Sequence, residues 1–212
     1  MKLFDLHTHR IDADDSFSIY NAKQDEDIAL LSRFCSVGIH PWFVEKTDLE
    51  KRIAEIKEQS FLTNVVAIGE CGLDKISSTD FELQIQAFES MVEIAETCCK
   101  PLILHCVKAF DELILIRNRV KPIQPWVIHG FRGNATQLKQ LLAKGFCFSI
   151  GEKFNVEAIK VLPLNAIFVE TDDSELPIES IYRLIAVTKQ MSVEELSAQI
   201  EHNVRNILKI NL

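Results

Sequence analysis

Eight short runs of apolar, β-branched or aromatic residues recur along the chain, and no other feature narrows the possible folds as much. They lie at Leu3–Leu6, Phe17–Tyr20, Phe34–Ile39, Val65–Ile68, Leu102–Leu104, Trp126–Ile128, Phe146–Ile150 and Ile167–Val169. Each has the length of a strand and is too short for a helix. Helical patterns separate most of them. Asp48–Gln59 carries Leu49, Ile53 and Ile56 at helical spacing, Phe81–Cys98 aligns Phe81, Ile85, Phe88, Val92 and Ala95, and Asn134–Lys144 aligns Leu138, Leu141 and Leu142. Thr79-Asp80 and Asn134 stand where N-caps belong, and Gly145 where a C-cap belongs. Strands alternating with helices mean parallel strands joined by right-handed crossovers. Eight of them predict an α/β fold of the TIM type, a (β/α)8 barrel, with a doubly wound open sheet as the alternative. At 212 residues the chain is short for a barrel, whose usual length is about 250. The shortage is expected in the first crossover, where 11–15 leave no room for a helix.

With 47% hydrophobic and 25% charged residues, the chain has enough apolar side chains for a core, and one domain over residues 1–212 is expected. The net charge of −8 excludes a broad electrostatic attraction to nucleic acid or anionic membrane. No apolar run approaches the roughly 18 residues of a membrane span, and no signal-peptide pattern opens the chain. The cysteines at 35, 71, 98, 99, 106 and 147 form no C-x-x-C pair, which points to reduced thiols and a cytoplasmic protein.

The ligand-type residues fall at strand ends. His7 and His9 are two apart around the first strand and so share a face. Glu70, His105, His129 and Asp172 each close an apolar run. Any one of these alone reads as a capping or hydrogen-bonded residue. Together, four imidazoles and two carboxylates from strands 1, 4, 5, 6 and 8 read as a metal site, because a barrel builds its active site at the C-terminal ends of its strands. Mixed imidazole and carboxylate donors suit Zn, Mn, Fe or Co, whereas an all-oxygen set would suit Mg or Ca, and six ligands exceed one tetrahedral site, so two divalent ions are expected. His202 and Trp126 read as surface and packing residues; Trp42 reads as packing, with lining the site mouth as the other reading. Cys71 and Cys106 should face away from the ligands they follow.

The motifs Asp-Leu-His-Thr-His at 5–9, Gly-Ile-His-Pro at 38–41, Ala-Ile-Gly-Glu-Cys-Gly-Leu-Asp at 67–74, Pro-Leu-Ile-Leu-His at 101–105, Ile-His-Gly-Phe at 128–131 and Glu-Thr-Asp at 170–172 resemble those of the TatD family of metal-dependent deoxyribonucleases, within the amidohydrolase-like barrels. The resemblance implies that His7, His9, Glu70 and Asp172 hold one metal, and that Glu70, His105 and His129 hold the other, with Glu70 bridging. It implies Asp172 as general base and His40 as a contact to substrate phosphate. Lys75, Lys108, Arg132 and Asp173-Ser174 depart from the family pattern around the mouth. Lys108 and Arg132 are the cations expected to meet negative charge on the substrate.

The expected activity is metal-dependent hydrolysis of phosphodiesters, on nucleic-acid ends or small phosphoesters, with the metals being Zn, Mn or Mg. No membrane or obligate protein partner is expected. The competing reading, hydrolysis of an amide or lactone, goes with a bridging modified lysine at strand 4 in the barrel relatives that do this; here strand 4 ends in Glu70.

Overall fold

The computed structural model describes residues 2–11 and 17–210. In chain order its main elements are β1 (Asp5–Thr8), β2 (Ser18–Asn21), β3 (Cys35–Val37), α1 (Leu49–Gln59), β4 (Val65–Asp74), α2 (Phe81–Cys98), β5 (Leu102–Val107) and α3 (Phe110–Val120). They continue with β6 (Trp126–Ile128), α4 (Ala135–Leu142), β7 (Cys147–Ile150), α5 (Val156–Val161), β8 (Ile167–Val169), α6 (Ile178–Lys189) and α7 (Val193–Asn203). The eight strands follow one another in sequence order in one sheet. A doubly wound sheet reverses its strand order partway across, so the open-sheet alternative is ruled out. The shortened first crossover expected at 11–15 lies, apart from Ile11, outside the described residues.

The contacts divide the chain into two compact units, Met1–Tyr20 with Val127–Leu212, and Asn21–Trp126. In the first, β1 runs parallel to β2, with Asp5 opposite Ser18. β7 lies between β6 and β8, with Val127 opposite Cys147 and Phe148 opposite Ile167. Thr8 bridges to Asp172, and the Asp172 amide donates to the His7 carbonyl at 2.9 Å. The start of the chain therefore meets the segment that follows the last strand, as a barrel requires. Phe148, Phe168, Ile181 and Leu196 are fully buried. Two polar side chains tie the helices down. The Tyr182 hydroxyl donates to the Phe4 carbonyl at 2.8 Å, and Asn203 Nδ2 donates to the Leu164 and Ile167 carbonyls at 2.7 and 2.8 Å. Asn134 caps α4 as expected, accepting from the Gln137 amide.

In the second unit β3, β4 and β5 are parallel. β4 extends to Asp74, six residues beyond the expected run. Gly69 and Gly72 permit the extension: both have positive φ, and a Cβ at Gly72 would fall against the His105 carbonyl oxygen. Asp80 caps α2 by accepting from the Leu83 amide. The buried face of α2 is Gln84, Ala87, Phe88, Met91, Val92, Ile94 and Ala95. Phe81 and Ile85, expected on it, are half-buried. Gln84 takes the inner place because its amide satisfies both backbone groups of Asp74, accepting from the nitrogen at 2.8 Å and donating to the oxygen at 3.1 Å.

Asp5 is buried and accepts from the Thr171 amide and hydroxyl at 2.9 and 2.6 Å and from the His7 amide at 3.3 Å. Burial pushes its carboxyl up to about 7, against the pull of the Thr171 bonds, and the charge of Glu170 adds to the rise. The folded chain thus holds this proton where the unfolded chain, titrating near 3.9, has lost it. Stability from this group is highest below about pH 4 and declines as pH rises toward 7. Urea titrations of metal-free protein should show Asp5→Asn relatively more stable at pH 8 than at pH 4.5, by roughly 2–4 kcal/mol. A pH-independent difference would contradict the assignment.

Candidate metal centre

All four residues of β1 are buried, and because side chains alternate between the faces of a strand, His9, just past its end, returns to the face of His7 with its ring more than a third exposed. The two rings lie edge to face, 5.0 Å apart. Asp172, three residues beyond β8, has φ of 53°. Its bridge to Thr8 brings Oδ1 to 3.6 Å from His9 Nε2 and 3.8 Å from His7 Nε2. These separations are long for hydrogen bonds. They suit two ligands of one ion, since donors each roughly 2.0–2.2 Å from a metal stand a little over 3 Å apart. His129 follows β6, its ring 4.6 Å from that of His7, and its Nδ1 is 3.5 Å from the buried Glu170. Glu170 also accepts from the Gly130 amide at 2.5 Å. Burial pushes its carboxyl up, but His129 and His7 outweigh that and hold it below the ordinary glutamate value. Donor atoms of His7, His9 and Asp172, and of His129, Glu170 and Asp172, lie within 4.8 Å of one another.

The second unit carries its own set. Glu70 is nearly buried at the middle of β4, and its Oε1 meets His105 Nδ1 at 2.9 Å and His40 Nε2 at 3.1 Å. The Asn21 side chain accepts from the Glu70 amide at 2.9 Å. His40 precedes the turn Pro41–Phe43, and its Nδ1 accepts from the Trp42 amide at 3.1 Å. That bond makes Nε2 the protonated nitrogen and a donor toward Glu70. A histidine so committed can donate a hydrogen bond to an anion. His105 meets Asp74 Oδ2 with Nε2 at 3.1 Å, leaving Nδ1 toward Glu70. Asp74 is fully buried, and burial pushes its carboxyl up; the Trp42 indole N–H at 2.6 Å, the Ile76 amide and His105 bring it below the ordinary aspartate value. A carboxylate behind a histidine fixes which nitrogen faces a metal.

The donor chemistry of both sets, imidazoles facing carboxylates, fits a divalent transition ion. Within the first unit the structure brings His7, His9, His129 and Asp172 near one another, and within the second it brings Glu70 and His105 together. Glu170 and Asp74 carry equal structural weight and were not singled out. Asp74 was detectable, because it stands four residues after Glu70 on one strand and so shares its face. Arg132 is exposed and lines a cavity of about 550 Å3 with Lys153, Glu170 and Asp172. Lys108 is exposed just past β5 with φ of 53°. Lys75 pairs with Glu112 at 2.6 Å. Trp126 is fully buried, as expected of a packing residue, whereas Trp42 is 55% exposed. Burial pushes the Cys71 thiol far up and that of Cys106 to about 12, so neither is a nucleophile at neutral pH.

If Asp74 orients His105, Asp74→Ala should weaken Zn or Mn binding about 10–100-fold in calorimetric titration, although no ligand is removed. Unchanged affinity would show that Asp74 serves the fold alone.

The family model "TatD related DNase" matches residues 13–209. A "3'-5' ssDNA/RNA exonuclease TatD" of Pantoea sp. (strain At-9b) is 28% identical over 213 residues, spanning 82% of this chain and 77% of that protein. A protein of the same description from Erwinia billingiae is 34% identical over 152 residues, 65% of this chain and 56% of that protein. Among solved structures, the TatD homologue YjjV of Escherichia coli K12 superposes with a TM-score of 0.80 at 21% identity, covering 92% of this chain and 86% of that one. The last comparison establishes the fold, a (β/α)8 barrel. The match over nearly the full length establishes the family, and the chain belongs to the TatD family of metal-dependent hydrolases.

Proposed function

We propose that residues 1–212 form one hydrolase domain that cleaves phosphodiester bonds at the ends of single-stranded nucleic acid or in small phosphoesters, with two divalent ions, Zn, Mn or Mg. The observation that carries this reading is the gathering of imidazole and carboxylate donors within 4.8 Å in each unit. His7, His9 and Asp172 would hold one ion and His105 and His129 the other, with Glu70 between them. The barrel architecture supports this grouping, since its active sites lie at the C-terminal ends of the strands. The names of the Pantoea and Erwinia relatives support a single-stranded substrate attacked from an end. Six cysteines without disulfides support a reducing compartment, the cytoplasm. A lysine-bridged amidohydrolase site is disfavoured because β4 presents Glu70.

Ions bound there would make water acidic enough to ionise near neutrality and polarise the phosphoryl oxygens. The residues of the chain do the rest. The Asp172 carboxylate, a quarter exposed at the cavity, accepts the proton of the attacking water. Arg132 and Lys153, on the same cavity, offset negative charge growing on the phosphoryl group, with His40 and Lys108 as further contacts. The net charge of −8 leaves attraction to these few groups, which favours ends and short strands over long duplex.

One assay tests the reading: Mn-loaded protein against a short single-stranded oligonucleotide and a closed circular duplex. The oligonucleotide should be degraded and the circle spared, with a salt dependence much shallower than the roughly 10³–10⁵ loss between 50 and 200 mM shown by proteins making 6–10 phosphate contacts. Asp172→Asn should lose most turnover while still binding metal, and Glu70→Gln should lose metal, because a neutral amide bridges two cations poorly. Efficient nicking of the circle, or full activity in either variant, would overturn the proposal.

A further inference from the structure

We propose that Trp42 is a stacking platform for an unpaired base of the substrate strand, an inference that rests on the phosphodiesterase reading and specifies how its site grips a strand. The turn Pro41–Phe43 sets two large aromatic side chains in succession, and both stay in solvent: Trp42 is 55% and Phe43 60% exposed. Exposure of one such ring is ordinary. The anchoring of this one is not. The indole Nε1 donates at 2.6 Å to Asp74 Oδ2, the same buried oxygen that meets His105 Nε2 at 3.1 Å. The Trp42 carbonyl accepts from the Thr79 hydroxyl at 3.2 Å, and its amide donates to His40. The ring is therefore held by its polar edge, 4.9 Å from the His40 ring and 5.8 Å from the His105 ring, and presents apolar surface to solvent.

Three considerations select a nucleobase as the occupant. A ring fixed in advance loses little conformational entropy when a flat group stacks on it. Its place beside His40 and His105 is where a base would fall if its own or the neighbouring phosphate reached those groups. Stacking is also indifferent to net charge, and so supplies affinity for a polyanion that a chain of charge −8 cannot draw from a basic surface. Sequence-tolerant grip by base–aromatic stacking is a common device of single-strand binding sites.

Two measurements test this. Trp126 is wholly buried and is the only other tryptophan, so oligothymidylate added to metal-free protein should quench the exposed, red-shifted indole emission. Secondly, single-stranded oligonucleotides carrying one abasic residue at successive positions from the end are compared by kcat/KM. Wild type should show one position where loss of the base costs about tenfold, and in Trp42→Leu that position should cost nothing further. Comparing substrates within one variant removes any general disturbance of Asp74 and His105, which would slow all substrates alike. Absence of quenching, or persistence of the tenfold abasic penalty in Trp42→Leu, would overturn the stacking proposal. Failure of wild type to cleave any oligonucleotide would instead overturn the phosphodiesterase reading, with quenching still deciding whether Trp42 receives a base.

Discussion

Carboxylates buried against imidazoles are what the rest of this molecule is arranged around. Glu170 and Asp74 are wholly buried and Glu70 nearly so. An ionised carboxyl removed from water costs several kcal/mol unless donors replace the water. Each of the three has such donors: Gly130 and His129 for Glu170; Trp42, Ile76 and His105 for Asp74; His40, His105 and the Asn21 side chain for Glu70. Much of the local architecture follows from supplying them. Gly69 and Gly72 let β4 run close to β5 so that His105 meets both carboxylates. Gln84 is turned inward to hold the backbone of Asp74, and the turn at Pro41–Phe43 brings His40 and Trp42 to the same place.

Imidazoles paired with carboxylates at ligand-like separations are also a preformed set of metal donors, and this connects the cost of burial to function. The lowered pKa of Glu170 keeps it ionised at neutral pH, the form that a cation needs. The outlying cations do not share in this cluster. Lys75 is engaged with Glu112, whereas Arg132 and Lys153 line the cavity beside Asp172 among Glu152, Asp173 and Glu175. Positive charge at this cavity is thereby confined to Arg132 and Lys153 within an acidic protein.

Much of this was legible in the sequence because it depends on short-range periodicity. The two-residue repeat places His7 and His9 together, and apolar runs ending in Glu70, His105, His129 and Asp172 mark strand ends without any knowledge of tertiary structure. What was not legible depends on partners distant in sequence. Phe81 and Ile85 look like core positions on α2, yet Gln84 occupies the inner face because only there does it satisfy Asp74. The run at Val65–Ile68 looks complete, yet β4 continues through a Gly-rich, acidic stretch whose backbone pairs with β5. Glu170 resembles a turn residue until the fold places it beside His129. The exposure of Trp42 could not be decided either, because it follows from the hydrogen bond that holds its indole to a carboxylate 32 residues away.

The proposal that these donors hold two ions is tested most directly by anomalous diffraction from crystals grown with excess Zn or Mn. The account predicts two peaks, one ligated by His7, His9 and Asp172, the other by His105 and His129, with Glu70 touching both. A single peak, or metal bound without Glu70, would contradict it.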